Sequence, residues 1–203
     1  MSSTNRGAER QPHDLYPTPA PPIDALLGVM HIRPLMRFHE PCRGTGAIYD
    51  RIDCSSKSYC EITEGIDYLA RVSHFRYDLI ITNPPFSLAL EFLQKSLREA
   101  ATVVYLLRLN FLGSQKRRAF WQANRPSHVL VLPERPVFSW PCHGHSAKEK
   151  KRKGCGAMFL PEERKVCPIC GGRVGPGTDS IEYAWFCWDR GGFITLEPGV
   201  HVL

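Results

Sequence analysis

Asp78-Leu79-Ile80-Ile81-Thr82-Asn83-Pro84-Pro85-Phe86 is the stretch from which the rest of the chain is read. Tyr77 to Thr82 is a compact apolar run, and Asn83-Pro84-Pro85 stops it, because proline has no backbone donor and a fixed φ. A run that is apolar at consecutive positions and ends in a rigid loop fits a parallel strand buried on both faces. A parallel strand needs neighbours joined by crossover segments, so the flanking sequence should alternate strand and helix.

It does so on both sides. Downstream, Ser87 to Ala100 carries Leu88, Phe92 and Leu93 at helical spacing, with Ser87 available as a cap. Thr102 to Leu107 is a β-branched, apolar strand signal, Ser114 to Trp121 is helical, and Ser127 to Leu132 repeats the strand signal. Upstream, Ile23 to Met30 predicts a short helix, after a Pro-rich stretch from Tyr16 to Pro22 that cannot be a helix interior. Arg37 to Glu40 reads as a strand entering the turn Arg43-Gly44-Thr45-Gly46, followed by a helix through Ile48 to Ile52. Ser58 to Ile62 reads as a second strand ending in Glu61. Ile181 to Trp188 is an aromatic strand, and Gly191 to Leu203 offers another. The expected fold class is therefore α/β, Rossmann-like, with a mainly parallel central sheet.

In open sheets of this kind ligands bind beyond the carboxyl ends of the strands, where strand order reverses. Glu40-Pro41-Cys42-Arg43-Gly44-Thr45-Gly46 occupies the first strand-turn-helix position. Its glycines allow close backbone approach to a ligand. A tight turn with no ligand is the competing reading. Two acidic positions favour a nucleoside ligand: Glu61 at a strand end could accept ribose hydroxyl hydrogens, and Asp67-Tyr68 could meet an adenine ring by hydrogen bond and stacking.

Asn83 to Phe86 suits a specific chemistry. An aromatic amine, its lone pair delocalised into a ring, attacks an electrophilic methyl group more readily when acceptors hold its hydrogens. Asn83 offers a side-chain oxygen and Pro84 a backbone carbonyl, Pro84 and Pro85 keep the loop rigid, and Phe86 presents a face to an extruded base. No covalent enzyme intermediate is needed, since the amine is the nucleophile.

Together these segments resemble the amino-methyltransferases of the S-adenosylmethionine-dependent Rossmann-like superfamily, in particular small phage and prokaryotic adenine-N6 DNA methyltransferases. The likeness spans roughly residues 13 to 140 and 178 to 200. Asp14-Leu15-Tyr16-Pro17-Thr18-Pro19 resembles the N-terminal cofactor motif of that family, Glu40 to Gly46 its glycine motif, and Asn83 to Phe86 its catalytic tetrapeptide. The resemblance implies S-adenosylmethionine as cofactor, held by Tyr16, Thr18, Glu40, Pro41, Gly44, Gly46, Glu61, Asp67, Tyr68 and Asn83. It implies catalysis by Asn83, Pro84, Pro85 and Phe86, with DNA as partner. Phe86 stands where many members have Tyr, and Arg43 is bulkier than the residue often found in the glycine motif.

The alternation breaks from Pro141 to Pro176, a Gly-, Cys- and Lys-rich segment without apolar periodicity. This predicts a division into a disordered tail at 1–12, a methyltransferase domain at 13–140 and 177–203, and an insertion at 141–176. Cys167-Pro168-Ile169-Cys170-Gly171-Gly172 forms a potential knuckle, and Cys155, Cys142, His143 and His145 supply enough further donors for a closed tetrahedral zinc site. Cys167, Cys170 and Cys155 are the firmest ligands, the fourth being Cys142 or His145. Surface thiols beside a His-rich loop are the alternative. Such a metal would be structural, standing in for a core. The basic run Lys148, Lys150, Lys151, Arg152 and Lys153 lies in the same segment, either as a phosphate grip or as a solvated loop.

Composition sets the outer limits. The chain has 203 residues, 43% hydrophobic content, a net charge of +6 and eight cysteines. That allows one main domain with a small accessory module and favours a polyanionic partner. The cysteines read as thiols and metal ligands rather than disulfides. No stretch is long and apolar enough to span a membrane, and Met1 to Pro12 lacks a signal-peptide core, so a soluble cytoplasmic protein of a prokaryotic cell or phage-infected host is expected. Cys42 and Cys142 both follow a proline, as the nucleophile of cytosine-C5 methyltransferases does. They belong instead to the glycine turn and the cysteine cluster. Cytosine N4, adenine in RNA and a protein glutamine amide remain alternative acceptors, as does a non-catalytic, zinc-stabilised nucleic-acid-binding role.

Overall fold

The computed structural model describes residues 17–138, 140–144, 158–159, 165–175 and 181–203, with 140–144 and 158–159 as backbone strands. The expected tail at 1–12, Tyr16, His145, Cys155, the basic run from Lys148 to Lys153 and the side chains of Cys142 and His143 lie outside that description.

Among the described residues, ten strands and three α-helices follow one another along the chain. The first part runs α1 (Ala20–Leu27), β1 (Arg37–Glu40), β2 (Ser56–Tyr59), β3 (Tyr77–Thr82), α2 (Ala89–Glu99), β4 (Ala100–Arg108), α3 (Arg118–Ala123) and β5 (His128–Val131). Then come β6 (Trp140–Gly144), β7 (Met158–Phe159), β8 (Arg173–Val174), β9 (Tyr183–Asp189) and β10 (Gly199–Val202). Seven strands make one sheet in the order β10-β5-β9-β4-β3-β1-β2, in which β9 alone runs antiparallel to its neighbours. The chain moves from β1 to β2 on one side and then returns across β1 to β3 on the other. Strand order therefore reverses between β1 and β3, which places a ligand crevice at their carboxyl ends.

The central strands read as near-continuous apolar runs because both faces are covered. In β4, Val104 and Leu106 enter one core while Val103, Tyr105 and Leu107 enter the other. In β9, Tyr183, Trp185 and Cys187 alternate with Ala184, Phe186 and Trp188 in the same way. On the first face, Ile23 and Leu26 of α1 complete the layer, and the Trp185 indole N–H donates to Pro22 O at 2.9 Å. On the second face α2 buries Ala89, Phe92, Leu93 and Ser96, a stripe with the i, i+3, i+4, i+7 spacing of an amphipathic helix.

Several element boundaries differ from the sequence expectation. The first helix starts at Ala20 and takes Pro21 and Pro22 into its first turn, where the missing N–H groups have no intrahelical acceptor to lose. The segment after the glycine turn is a single 3-10 turn, Tyr49–Arg51, rather than a helix. The second strand lies earlier, at Ser56–Tyr59, so Glu61 caps the following 3-10 turn instead of ending the strand. Ser87 is not the cap of α2, which begins after Leu88. Within the expected insertion, β6, β7 and β8 form a separate three-stranded antiparallel sheet in the order β7-β6-β8. Among the described residues no helix is long and apolar enough to cross a membrane.

Candidate active site

The glycine turn starts where β1 ends. Gly44 has φ 54° and Gly46 φ 88°, left-handed values that favour glycine, and a Cβ at Gly46 would lie 2.8 Å from Asp50 Oδ2. The turn is fastened from across the sheet edge. Cys60 donates its N–H to Glu40 O at 2.9 Å, Arg43 donates its N–H to Cys60 O at 3.0 Å, and Gly44 donates its N–H to Glu61 Oε2 at 2.7 Å. Arg43 does not block the turn: its guanidinium lies over the Tyr59 ring at 4.6 Å and pairs with Glu64 at 3.5 Å.

A narrow slot of about 50 Å³ opens here, its walls including Thr18, Glu40, Gly44, Glu61, Asn83 and Pro85. Residues from the N-terminal segment, the first turn, the second turn and the Asn-Pro-Pro loop thus meet at the strand-order reversal. Cys42 of the glycine turn lines it too, as do Ile48 and Ile62, which pattern reading does not single out because they are apolar.

Its two glutamates differ in environment. Glu61 is 3% exposed; its Oε1 accepts from the Thr63 N–H at 3.0 Å and the Thr63 hydroxyl at 2.8 Å, while Oε2 accepts from Gly44. Burial raises its pKa, but these donors and Arg43 outweigh burial and hold the carboxyl below the ordinary glutamate range. Glu40 is 2% exposed, and its Oε2 is buried with no hydrogen-bond partner among the described residues. Burial therefore pushes the Glu40 carboxyl well above the ordinary range, against the Tyr49 N–H and Arg43.

Asn83-Pro84-Pro85-Phe86 leaves β3 at the same edge. The Cys42 thiol holds the loop, lying 2.9 Å from Thr82 Oγ1 and 3.5 Å from Asn83 O. Burial drives that thiol's pKa far upward, which removes Cys42 as a thiolate nucleophile. Leu88 donates its N–H to Pro85 O at 3.0 Å, and Pro84 is buried. Phe86 sits 5.9 Å from the Tyr183 ring, and the Arg108 guanidinium covers Phe86 at 4.5 Å while lying 3.4 Å from the Tyr183 hydroxyl. Arg108 ends β4, and its place over Phe86 follows from β3–β4 pairing, which no local motif encodes.

Of the expected cofactor residues, Thr18, Glu40, Gly44, Glu61 and Asn83 line the slot, while Pro41 and Gly46 are buried in the turn behind it. Asp67 is exposed, its Oδ1 accepting the Leu69 N–H at 2.8 Å, and it is not among the slot residues. Tyr68 lies with its ring in the second core. It is 2% exposed, packs on Phe92 at 5.3 Å, and its hydroxyl meets Ser96 Oγ at 2.9 Å and Glu99 at 2.8 Å. Its ring turned into the core because the second face needed an aromatic filler beneath α2.

Of the expected zinc ligands, Cys167 is buried and Cys170 half-buried; Gly171, at φ 70°, donates its N–H to Cys167 O at 2.8 Å. The β6–β8 pairing sets Cys142 opposite Val174. Among the described residues no group of three or more candidate ligands converges.

No protein-family model and no curated protein matches the sequence. A solved structure from Listeria monocytogenes, provisionally described as a class I S-adenosylmethionine-dependent methyltransferase, superposes with a TM-score of 0.50 at 12% identity. The match covers 89% of this chain and 62% of that protein, so the chain spans about three fifths of its length. A second, from Pyrococcus horikoshii and provisionally described as an RNA methyltransferase, has a TM-score of 0.48 at 14% identity, covering 86% and 87%. At such identities the first likeness speaks to architecture: the chain has an α/β methyltransferase fold with a mostly parallel central sheet.

Proposed function

We propose that this chain is an S-adenosylmethionine-dependent methyltransferase acting on an exocyclic amino nitrogen, with adenine N6 in DNA as the target. One observation carries the reading: Asn83 and Pro85 line the same slot as the Gly44 turn and Glu61, so an acceptor loop and a nucleoside cradle share one crevice. The residues fit the cofactor. Glu40 presents a buried carboxylate oxygen without a partner among the described residues, a setting in which a cation is welcome, and the left-handed glycines leave room for close approach. When bound, S-adenosylmethionine supplies an electrophilic methyl group on a cationic sulfur.

The chain's own contribution is positioning and polarisation. Asn83 O is engaged by Cys42 and Pro85 O by Leu88, and the Pro84 carbonyl is assigned to an incoming amine. The Asn83 side-chain oxygen is the second acceptor. Phe86 and Tyr183 offer aromatic faces to an extruded base, and Arg108 lies over the Phe86 ring. A neutral, buried Cys42 keeps covalent thiolate chemistry out of the site.

The same proposal includes a structural zinc held by Cys155, Cys167 and Cys170 with either Cys142 or His145. The tight Cys167–Gly172 turn supports it, Cys167 donating its N–H to Gly172 O at 2.8 Å. Elemental analysis of the purified protein should return one zinc per chain; a metal-free, folded protein would remove that part.

The deciding experiment is transfer of labelled methyl to mixed-sequence DNA followed by nucleoside analysis. N6-methyl-2′-deoxyadenosine formed by the native protein should fall at least about a hundredfold in Asn83→Ala, the scale of losing an oriented acceptor in the transition state. Label appearing only in RNA or protein would move the target. Absence of cofactor binding would end the enzyme reading.

A further inference from the structure

Beyond the slot, the β4–α3–β5 unit carries a charge pattern that the fold does not require. Residues 100 to 133 contain no aspartate or glutamate but five cations, Arg108, Lys116, Arg117, Arg118 and Arg125. Two are committed to the protein: Arg108 covers Phe86, and Arg117 lies 4.2 Å over the Phe111 ring while donating to Phe111 O at 2.7 Å. Arg118 and Arg125 are exposed and form no ion pair among the described residues. Both wall an open groove of about 700 Å³, together with Gln115, Trp121 and Gln122.

The spacing of this wall is informative. Arg118, Trp121 and Gln122 stand at i, i+3 and i+4 of α3, the positions that in α2 are Ala89, Phe92 and Leu93 and are buried, while Arg125 follows the helix in the connection to β5. In α3 that spacing instead brings the Arg118 guanidinium and the Gln122 amide to the groove, and Arg125 joins them from the connection. Trp121 gives the wall rigidity, stacked at 9° on Trp188 with ring centres 6.1 Å apart and met edge-on by Phe111 at 5.7 Å. Its indole N–H is buried and has no hydrogen-bond partner among the described residues.

We infer that this groove holds the sugar-phosphate backbone of duplex DNA beside the reacting nucleotide, with Arg118 and Arg125 each gripping a phosphate. The inference rests on the proposed DNA reading and assigns the backbone contact to α3 rather than to the Lys148–Lys153 run. Charge complementarity carries it: arginines without an ion pair among the described residues, with planar, forked donors, suit phosphate oxygens, and Arg118 follows Arg108, which covers Phe86, by ten positions in the sequence.

The test is polarisation binding of a fluorescein-labelled mixed-sequence duplex by the full chain across salt concentration, for the native protein, Arg118→Gln/Arg125→Gln and Arg118→Lys/Arg125→Lys. Removing two phosphate contacts should lower the slope of log affinity against log salt by about two and weaken binding about tenfold at moderate salt. The lysine pair should restore most of the slope, and S-adenosylmethionine affinity should be the same in all three. In methyl transfer the glutamine pair should raise the DNA KM and leave kcat unchanged. An unchanged slope in the glutamine pair, or no recovery in the lysine pair, overturns the assignment while leaving the enzyme reading intact. If the native protein binds cofactor but no duplex, the DNA reading itself fails and the groove assignment with it.

Discussion

Glu40 and Glu61 line one slot, are almost equally buried, and are held in opposite electrostatic states. Glu61 is a fastener. Its charge is met by the Gly44 and Thr63 donors, so it ties the first turn to the second, and the ligand cradle depends on it. Glu40 has one oxygen unmet among the described residues, so its charge is a cost that a cationic ligand would relieve. Burial alone does not fix the behaviour of an acid; the donors around it do.

The largest expected effect breaks the fastener. Glu61→Ala removes the acceptor of the half-buried Gly44 N–H and of both donors of the exposed Thr63 and should destabilise the ligand-free protein by about 1–2 kcal/mol in denaturant unfolding, with cofactor affinity lost in parallel. Because the folded Glu61 pKa is depressed, its contribution is present above the ordinary glutamate value and disappears as pH falls through the folded value. A variant as stable as the native chain would mean the turn is held by other contacts.

Glu40→Gln should act in the reverse sense. The folded Glu40 pKa is raised, so its stabilising contribution is complete below the ordinary glutamate value and is lost as pH rises through the folded value. The amide does not ionise, so the variant should match the native protein near pH 4 and exceed it by about 1 kcal/mol at alkaline pH. Cofactor affinity should nevertheless fall about tenfold, equivalent to about 1.4 kcal/mol. Unfolding curves at several pH values beside cofactor titrations check both halves. A variant that loses stability at high pH would show that the native carboxylate already has a partner.

Much of this arrangement is legible in the sequence where chemistry and backbone coincide. Consecutive apolar residues in Tyr77–Thr82 and Ala100–Arg108 identify buried parallel strands, and Asn83-Pro84-Pro85 marks where one ends. Boundaries are less legible when a residue is tolerated in one place only: Pro21 and Pro22 look like breakers but sit in a first turn. Contacts across the sheet are not legible at all. The hydrogen bond from Gly44 to Glu61 and the Arg108–Phe86 contact depend on strand register, to which local patterns are blind. The inward turn of Tyr68 is illegible for the same reason, since residue order along a loop does not say which way a ring turns.

Tyr68→Phe tests that last point with the smallest effect. The ring keeps its packing against Phe92 and His39, at 5.3 and 5.7 Å, while the hydroxyl bonded to Ser96 and Glu99 is lost. Ser96 retains its bond to the Tyr105 hydroxyl at 2.7 Å, so only part of the buried network is orphaned. A stability loss of about 1 kcal/mol is expected, with S-adenosylmethionine affinity unchanged within about twofold. Both glutamate variants should alter cofactor binding, and this one should not, because Tyr68 belongs to the core behind the slot. A drop in affinity without a change in stability would place the ring back at the ligand and undo that separation.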